Sequence, residues 1–261
     1  MYTADSYVLA DSVEEALRLL REDAKSAVIG GGVWMHLGNA AVSTLIDLSR
    51  LGLDTVEETA EGLSLGAMLP LRKLETDPLL LDHANGVLAR AVRGIVGTQL
   101  RNAATVGGSV AGRFGFSDVI CALLALDAEV VCAGAGQMPL ADFLSAKPKR
   151  DIVLSVVLPT DGRSAAYETR RLTATDIAIL NVCLARVPDG TYRVSVGARP
   201  DIAVRCEEAE AALRADDIDA ACAAVEALKY GSNLRGSAEY RRAMSGVLLR
   251  RAYEALSGGV K

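Results

Sequence analysis

The stretch Gly97-Thr98-Gln99-Leu100-Arg101-Asn102-Ala103-Ala104-Thr105-Val106-Gly107-Gly108-Ser109-Val110 decides the fold of this chain. Gly107 and Gly108 let the backbone approach another group with no Cβ in the way, and Thr105 and Ser109 set small hydroxyls beside them. Further along, Ser117-Asp118 is a good cap pair for a helix over Val119–Leu126. Read alone, the stretch fits a tight glycine turn followed by a capped helix, with Asp118 only a cap. It also fits a loop that cradles a phosphate with its backbone N–H groups.

Upstream, Val13, Ala16, Leu17 and Leu20 fall at helical spacing and predict a helix over 12–22, with Asp11 or Ser12 as its N-cap. Ala27-Val28-Ile29 reads as a short buried strand running straight into Gly30-Gly31-Gly32, and Thr44–Leu48 reads as a second strand. The result is a small strand–helix–strand unit with a second glycine loop at a strand end. Together the two loops point to a cofactor that carries a diphosphate. Neither loop is a G-x-x-x-x-G-K-[ST] loop, and no G-x-G-x-x-G follows the first strand, so the usual nucleotide motifs are excluded.

A new unit is expected from Gly62. Leu63–Ala67 alternates like a strand, Pro70–Leu74 starts a helix, and Pro78 opens another that carries the apolar stripe Leu79, Leu80, Ala84, Val87, Leu88, Ala91 and Val92. Ala128–Cys132 and Ile152–Leu158 read as strands. Pro159–Arg163, where Pro, Asp and Gly cluster between apolar segments, marks a domain boundary. Beyond it, Ser164–Leu172 is a strand, Ile177–Val187 fits a helix or a strand, Pro188-Asp189-Gly190 is a turn, and Tyr192–Val196 is a strand. From Glu207 the chain is Ala-rich and helical.

The chain has 261 residues, 51% hydrophobic and 23% charged, enough for a sizeable core and for two domains. Aromatics make up only 4%, so aliphatic side chains must fill that core. A net charge of -5, with no basic block beyond Lys147–Arg150, argues against nucleic acid as a partner. Met1–Leu9 lacks the basic-then-apolar pattern of a signal peptide. The longest apolar run, Val119–Leu126, falls short of the roughly 20 residues of a membrane helix. A soluble, cytoplasmic protein without a membrane span is expected. Cys121, Cys132, Cys183, Cys206 and Cys222 form no C-x-x-C pair, and only His36 and His83 accompany them, so no metal or iron–sulfur site is expected in this chain.

The segment from Gly97 to Val110 resembles the second FAD-binding loop in the flavin subunit of molybdenum hydroxylases, enzymes of the xanthine dehydrogenase and carbon monoxide dehydrogenase type. The family pattern is close to Arg-Asn-x-Ala-Thr-Ile-Gly-Gly-Asn, then an Asp that opens a helix ending in Leu-Leu-Ala-Leu-(Asp/Gly)-Ala. Here Asp118 and Ala122–Ala128 stand in those places. Ile29-Gly30-Gly31-Gly32 is similar to the family's first loop. Leu234–Arg242, followed by Val247–Ala252, is similar to its closing segment. The three motifs occur in order and span most of the chain.

The resemblance implies an α+β chain: a two-subdomain FAD-binding fold of the PCMH type over 1–160 (subdomains about 1–56 and 57–160), then a C-terminal α+β domain of the CO dehydrogenase flavoprotein type over 161–261. It implies FAD bound by Ile29, Gly30, Gly31, Gly32, Val33 and Trp34 and by Thr105, Gly107, Gly108 and Ser109. Asp118 would accept a hydrogen bond from the cofactor, and Ile95 and Val153 would lie beside it. It further implies a molybdenum-binding large subunit and a [2Fe-2S] small subunit as partners, with molybdopterin and the clusters held there. Electrons would pass through FAD to NAD or another acceptor, with no acid–base residue indispensable in this chain. The chain departs from the family pattern at Val33 and Trp34, where Thr or Ser and then Asp or Asn are commoner, at Phe114-Gly115-Phe116, and at Glu168, where many relatives carry Lys. Two other readings stay open: a stand-alone flavin oxidoreductase, and a flavin-less structural subunit.

Overall fold

The structure, a computed structural model, describes residues 2–199 and 201–258. One division between its compact units falls at Leu158/Pro159, but each unit also draws on other stretches of the chain. One comprises residues up to Lys73 with Thr98–Gly112 and Glu129–Leu158; the other comprises Leu74–Gly97, Arg113–Ala128 and the chain from Pro159 on. The reason is local. The helix Asp118–Ala125 is buried at every residue, so it needs cover on all sides, and it packs on strands that come later in the sequence.

In the first unit, β1 (Thr3–Leu9), β2 (Ala27–Ile29) and β3 (Ala41–Asp47) form a parallel sheet in the order β1-β3-β2. The helix Val13–Glu22 starts where Ser12 Oγ accepts from Glu15 N at 3.1 Å, as its cap position predicts. Its Ala16 and Leu20 pack with Ala10, Ile46, Leu48 and Ile152 in an apolar cluster. Arg150 closes the far end of that helix by donating to the carbonyls of Leu20, Asp23, Ala24 and Ser26. A second, antiparallel sheet holds β4 (Val56–Thr59), β5 (Gly62–Gly66), β6 (Glu129–Cys132), β7 (Gly136–Pro139) and β8 (Val153–Leu158), in the order β4-β5-β8-β6-β7.

In the second unit, β9 (Ser164–Arg170), β10 (Leu180–Arg186), β11 (Tyr192–Gly197) and β12 (Val204–Arg205) make an antiparallel sheet in the order β12-β11-β10-β9. The segment 177–187, ambiguous in the sequence, is therefore a strand. The helices Glu207–Arg214, Ile218–Glu226 and Ala238–Gly258 share a core with this sheet built on Leu180, Val182, Val194, Val196, Leu213 and Leu249. Arg241, 1% exposed, donates to the carbonyls of Ile179, Ala198, Gly231 and Gly236 and to Asn233 Oδ1. The closing motif is thus a joint that satisfies buried backbone.

The single helix expected from Pro78 is two. Ala84, Asn85 and Gly86 take φ of 48°, 59° and 65° and separate Pro78–Asp82 from Val87–Arg93. Asn-Gly tolerates left-handed backbone, and the break still leaves Leu80, Val87, Leu88, Ala91 and Val92 buried.

Candidate functional site

The two glycine loops lie against each other within the first unit. A Cβ on Gly30 would meet Thr105 Oγ1 at 2.6 Å and Gly108 Cα at 3.8 Å; one on Gly31 would sit 1.6 Å from Ala103 O. Only glycine permits that approach, and Gly32, at φ +67°, uses backbone freedom as well. The chain then enters a short 3-10 turn at Met35–Leu37, with Trp34 exposed and Val33 half-buried.

The second loop is not a turn. Val106–Gly112 is helical and Thr98–Ala103 is a helix before it, a correction to the tight-turn reading of Gly107-Gly108. Thr105 caps the later helix: its Oγ1 accepts from Gly108 N at 3.1 Å and its carbonyl from Ser109 N at 3.0 Å. Val106 N and Gly107 N donate to Leu69 O and Ala67 O at 3.0 and 2.7 Å. Gly107 is buried because Ala67 leaves no room, with 2.6 Å from a would-be Cβ to the Ala67 Cβ. Every backbone N–H from Val106 to Ser109 is therefore used inside the protein.

The first loop differs. Among the described residues, the N–H groups of Gly30, Gly31, Gly32 and Val33 have no acceptor. Four consecutive donors without partners, on a loop whose Gly31 is exposed, make an anion-accepting surface. Thr105 N–H is likewise without a described acceptor, directly beside Gly30. Ile29 is half-buried at the end of β2, and Val153 is buried at the start of β8.

Ile95 and Asp118 belong to the second unit. Ile95, half-buried, follows the helix Val87–Arg93, its N–H bonded to Val92 O at 2.9 Å. Asp118 is 4% exposed, and Ser117 Oγ caps its helix by accepting from Ile120 N at 3.1 Å. Its Oδ1 collects three groups that the sequence reading passed over. The Tyr167 hydroxyl donates to it, Asn181 Nδ2 donates at 3.2 Å, and Arg171 Nη2 lies 2.7 Å away as an ion pair. Burial, then the Asp118 charge, pushes the Tyr167 phenol well above its ordinary range, so it stays a donor. Asn181, a polar residue inside the apolar run Ile179–Val182, was the legible signal; Tyr167 and Arg171 gave none.

Glu168, partly buried on β9, stands opposite Val182 of β10. All five cysteines are buried and unbridged, and burial lifts the Cys121 thiol to about 12, which leaves it inert. No described helix is long and apolar enough to cross a membrane.

Comparison with known proteins gives this geometry a family. Residues 2–161 match the FAD binding domain in molybdopterin dehydrogenase, and residues 165–256 match the CO dehydrogenase flavoprotein C-terminal domain. The chain is 31% identical to the 6-hydroxypseudooxynicotine dehydrogenase complex subunit alpha of Paenarthrobacter nicotinovorans, over 90% of this chain and 88% of that one. It is 26% identical to the carbon monoxide dehydrogenase medium chain of Hydrogenophaga pseudoflava, over 95% and 96%. A solved structure of carbon monoxide dehydrogenase from that organism superposes with a TM-score of 0.87 at 27% identity, covering 96% of each chain. The three ordered motifs, the loop geometry and two adjoining family domains agree: the chain belongs to the FAD-binding subunits of the molybdenum hydroxylases, as an oxidoreductase subunit whose cofactor is FAD.

Proposed function

We propose that the chain is the electron-transfer flavoprotein of a xanthine dehydrogenase-like complex. In it a molybdenum-binding large subunit hydroxylates substrate and a small subunit with [2Fe-2S] clusters relays electrons singly to this chain. NAD or another acceptor takes them up in pairs, and the location is cytoplasmic. The division of labour follows 1–160 as FAD-binding domain and 161–261 as the flavoprotein C-terminal domain. When bound, FAD supplies a centre that takes electrons one at a time and gives them up in pairs. The chain's part is to place that centre and exclude competing chemistry, so no acid–base residue is assigned.

The observation that carries the reading is the row of open donors at Gly30–Val33 beside Thr105. A diphosphate needs convergent N–H groups and close approach, and this loop offers both. Gly107, Gly108 and Ser109 act in the proposal by fixing Thr105 and leaving a low surface, Gly108 being exposed. Ile29, Trp34, Ile95 and Val153 give apolar or backbone contact, and Asp118 accepts a hydrogen bond from the cofactor. Titration of the flavin-free full chain with FAD should give saturable uptake with visible flavin absorbance, and the native complex should carry iron, molybdenum and flavin together. A colourless chain that takes up no FAD, isolated without metal-bearing partners, would sink the proposal and leave a structural subunit.

A further inference from the structure

Asp118 is surrounded unevenly. Tyr167 and Asn181 both donate to its Oδ1, and the Arg171 guanidinium lies against the same atom. No described residue donates to Oδ2, and Oδ2 is not among the fully enclosed atoms that lack a partner, so it keeps an opening to solvent. One oxygen is saturated from inside the second unit; the other has no described donor.

The assembly is costly. Asn181 is fully buried, and its Oδ1 has no partner while its Nδ2 serves Asp118. Turning the amide over would set its oxygen against Asp118 Oδ1. A Cβ on Gly197 would meet Asn181 Oδ1 at 2.3 Å, so the strand has a glycine where the amide must fit. Arg171, its side chain 8% exposed, donates from Nη1 to Asp176 O and pairs through Nη2 with Asp118 Oδ1 at 2.7 Å, while its buried Nε has no acceptor. Its Nη2 contact with Asp118 is charge against charge. Gly94 gives the guanidinium room, since a Cβ there would lie 3.0 Å from Arg171 Nε. Unsatisfied buried polar atoms are expensive and rare, and a set gathered round one carboxylate oxygen calls for a function.

We infer that Tyr167, Asn181 and Arg171 are positioning residues that hold Asp118 by Oδ1 and present Oδ2 as a fixed acceptor to a hydroxyl or N–H of the bound flavin cofactor. This rests on the reading that Asp118 accepts a hydrogen bond from FAD. The trio fixes the carboxylate rotamer before binding, so none of the binding energy is spent on orienting it.

The test is a double-mutant cycle on the flavin-free full chain, with FAD affinity read from quenching of flavin fluorescence. Tyr167→Phe removes one hydroxyl and no volume, and should weaken FAD about five- to tenfold. Asp118→Asn alone should weaken it by at least as much. Adding Tyr167→Phe to Asp118→Asn should then cost less than about twofold, because the hydroxyl acts only through the carboxylate. Arg171→Lys, which keeps the charge and loses the planar fork, runs through the same cycle and serves if Tyr167→Phe does not fold. Unchanged affinity in both single variants would overturn the inference. So would equal losses with and without the Asp118 carboxylate, which is what a merely structural role gives. Absence of FAD binding by the unmodified chain would overturn the underlying reading itself, and is distinguished by there being no affinity to compare.

Discussion

The two glycine loops resemble each other in sequence and do opposite things. Val106–Ser109 spends its N–H groups on Leu69 O, Ala67 O and the Oγ1 and carbonyl of Thr105. Gly30–Val33 keeps its N–H groups open. One loop is a scaffold that builds a capped helix, and the other leaves its donors without partners in the protein. Yet each needs the other, because Gly31 can lie under Ala103 and Gly30 under Thr105 only while both are glycine. Glycine therefore marks two distinct needs in this protein, close packing and open donors, and only the hydrogen-bond partners tell them apart.

The largest effect should come from Gly31→Ala. Its Cβ would lie 1.6 Å from a backbone oxygen that no rotamer can move, so the loops must part. Loss of about 3 kcal/mol in urea unfolding is expected, with FAD uptake abolished. A stable, yellow Gly31→Ala protein would break the claim that the loops are interlocked. Thr105→Val should fall in the middle. It strips the cap from Gly108 N and should cost about 1 kcal/mol of stability, while FAD affinity falls no more than about threefold. An affinity loss far larger than the stability loss would show that the scaffold loop is itself the main ligand. Val33→Thr should do least and in the other direction. It restores a hydroxyl beside the open donors and should tighten FAD about two- to fivefold by equilibrium titration, with stability unchanged.

Much of this was legible. The cap residues Ser12 and Ser117, the strands at 27–29 and 192–196, and the order of the three motifs all follow from local chemistry: hydroxyl caps, apolar spacing and glycine. The errors have one cause, which is that local pattern does not say what covers a segment. The stripe from Leu79 to Val92 reads as one helix because, the exposed Leu79 apart, its burial survives the left-handed break at Ala84–Gly86. Gly107-Gly108 reads as a turn because glycine lowers helix propensity, whereas the close fit to Ala67 overrides propensity there. The strand Thr3–Leu9, mostly exposed, has no apolar alternation to announce it and forms by pairing with β3. At the site, Gly30–Gly32 and Asp118 could be found by type and spacing. Tyr167 and Asn181 come from two strands far along the chain and Arg171 from the loop after the first of them, and only the fold brings them to one carboxylate oxygen.

The most direct test of the difference between the loops is amide hydrogen exchange with and without FAD, resolved at 30–33 and at 106–109. Without FAD the first set should exchange rapidly and the second slowly, since only the second is hydrogen-bonded within the protein. With FAD the first set should become protected and the second should change little. Protection gained mainly at 106–109, or none gained at 30–33, would contradict the assignment of the first loop as the ligand surface.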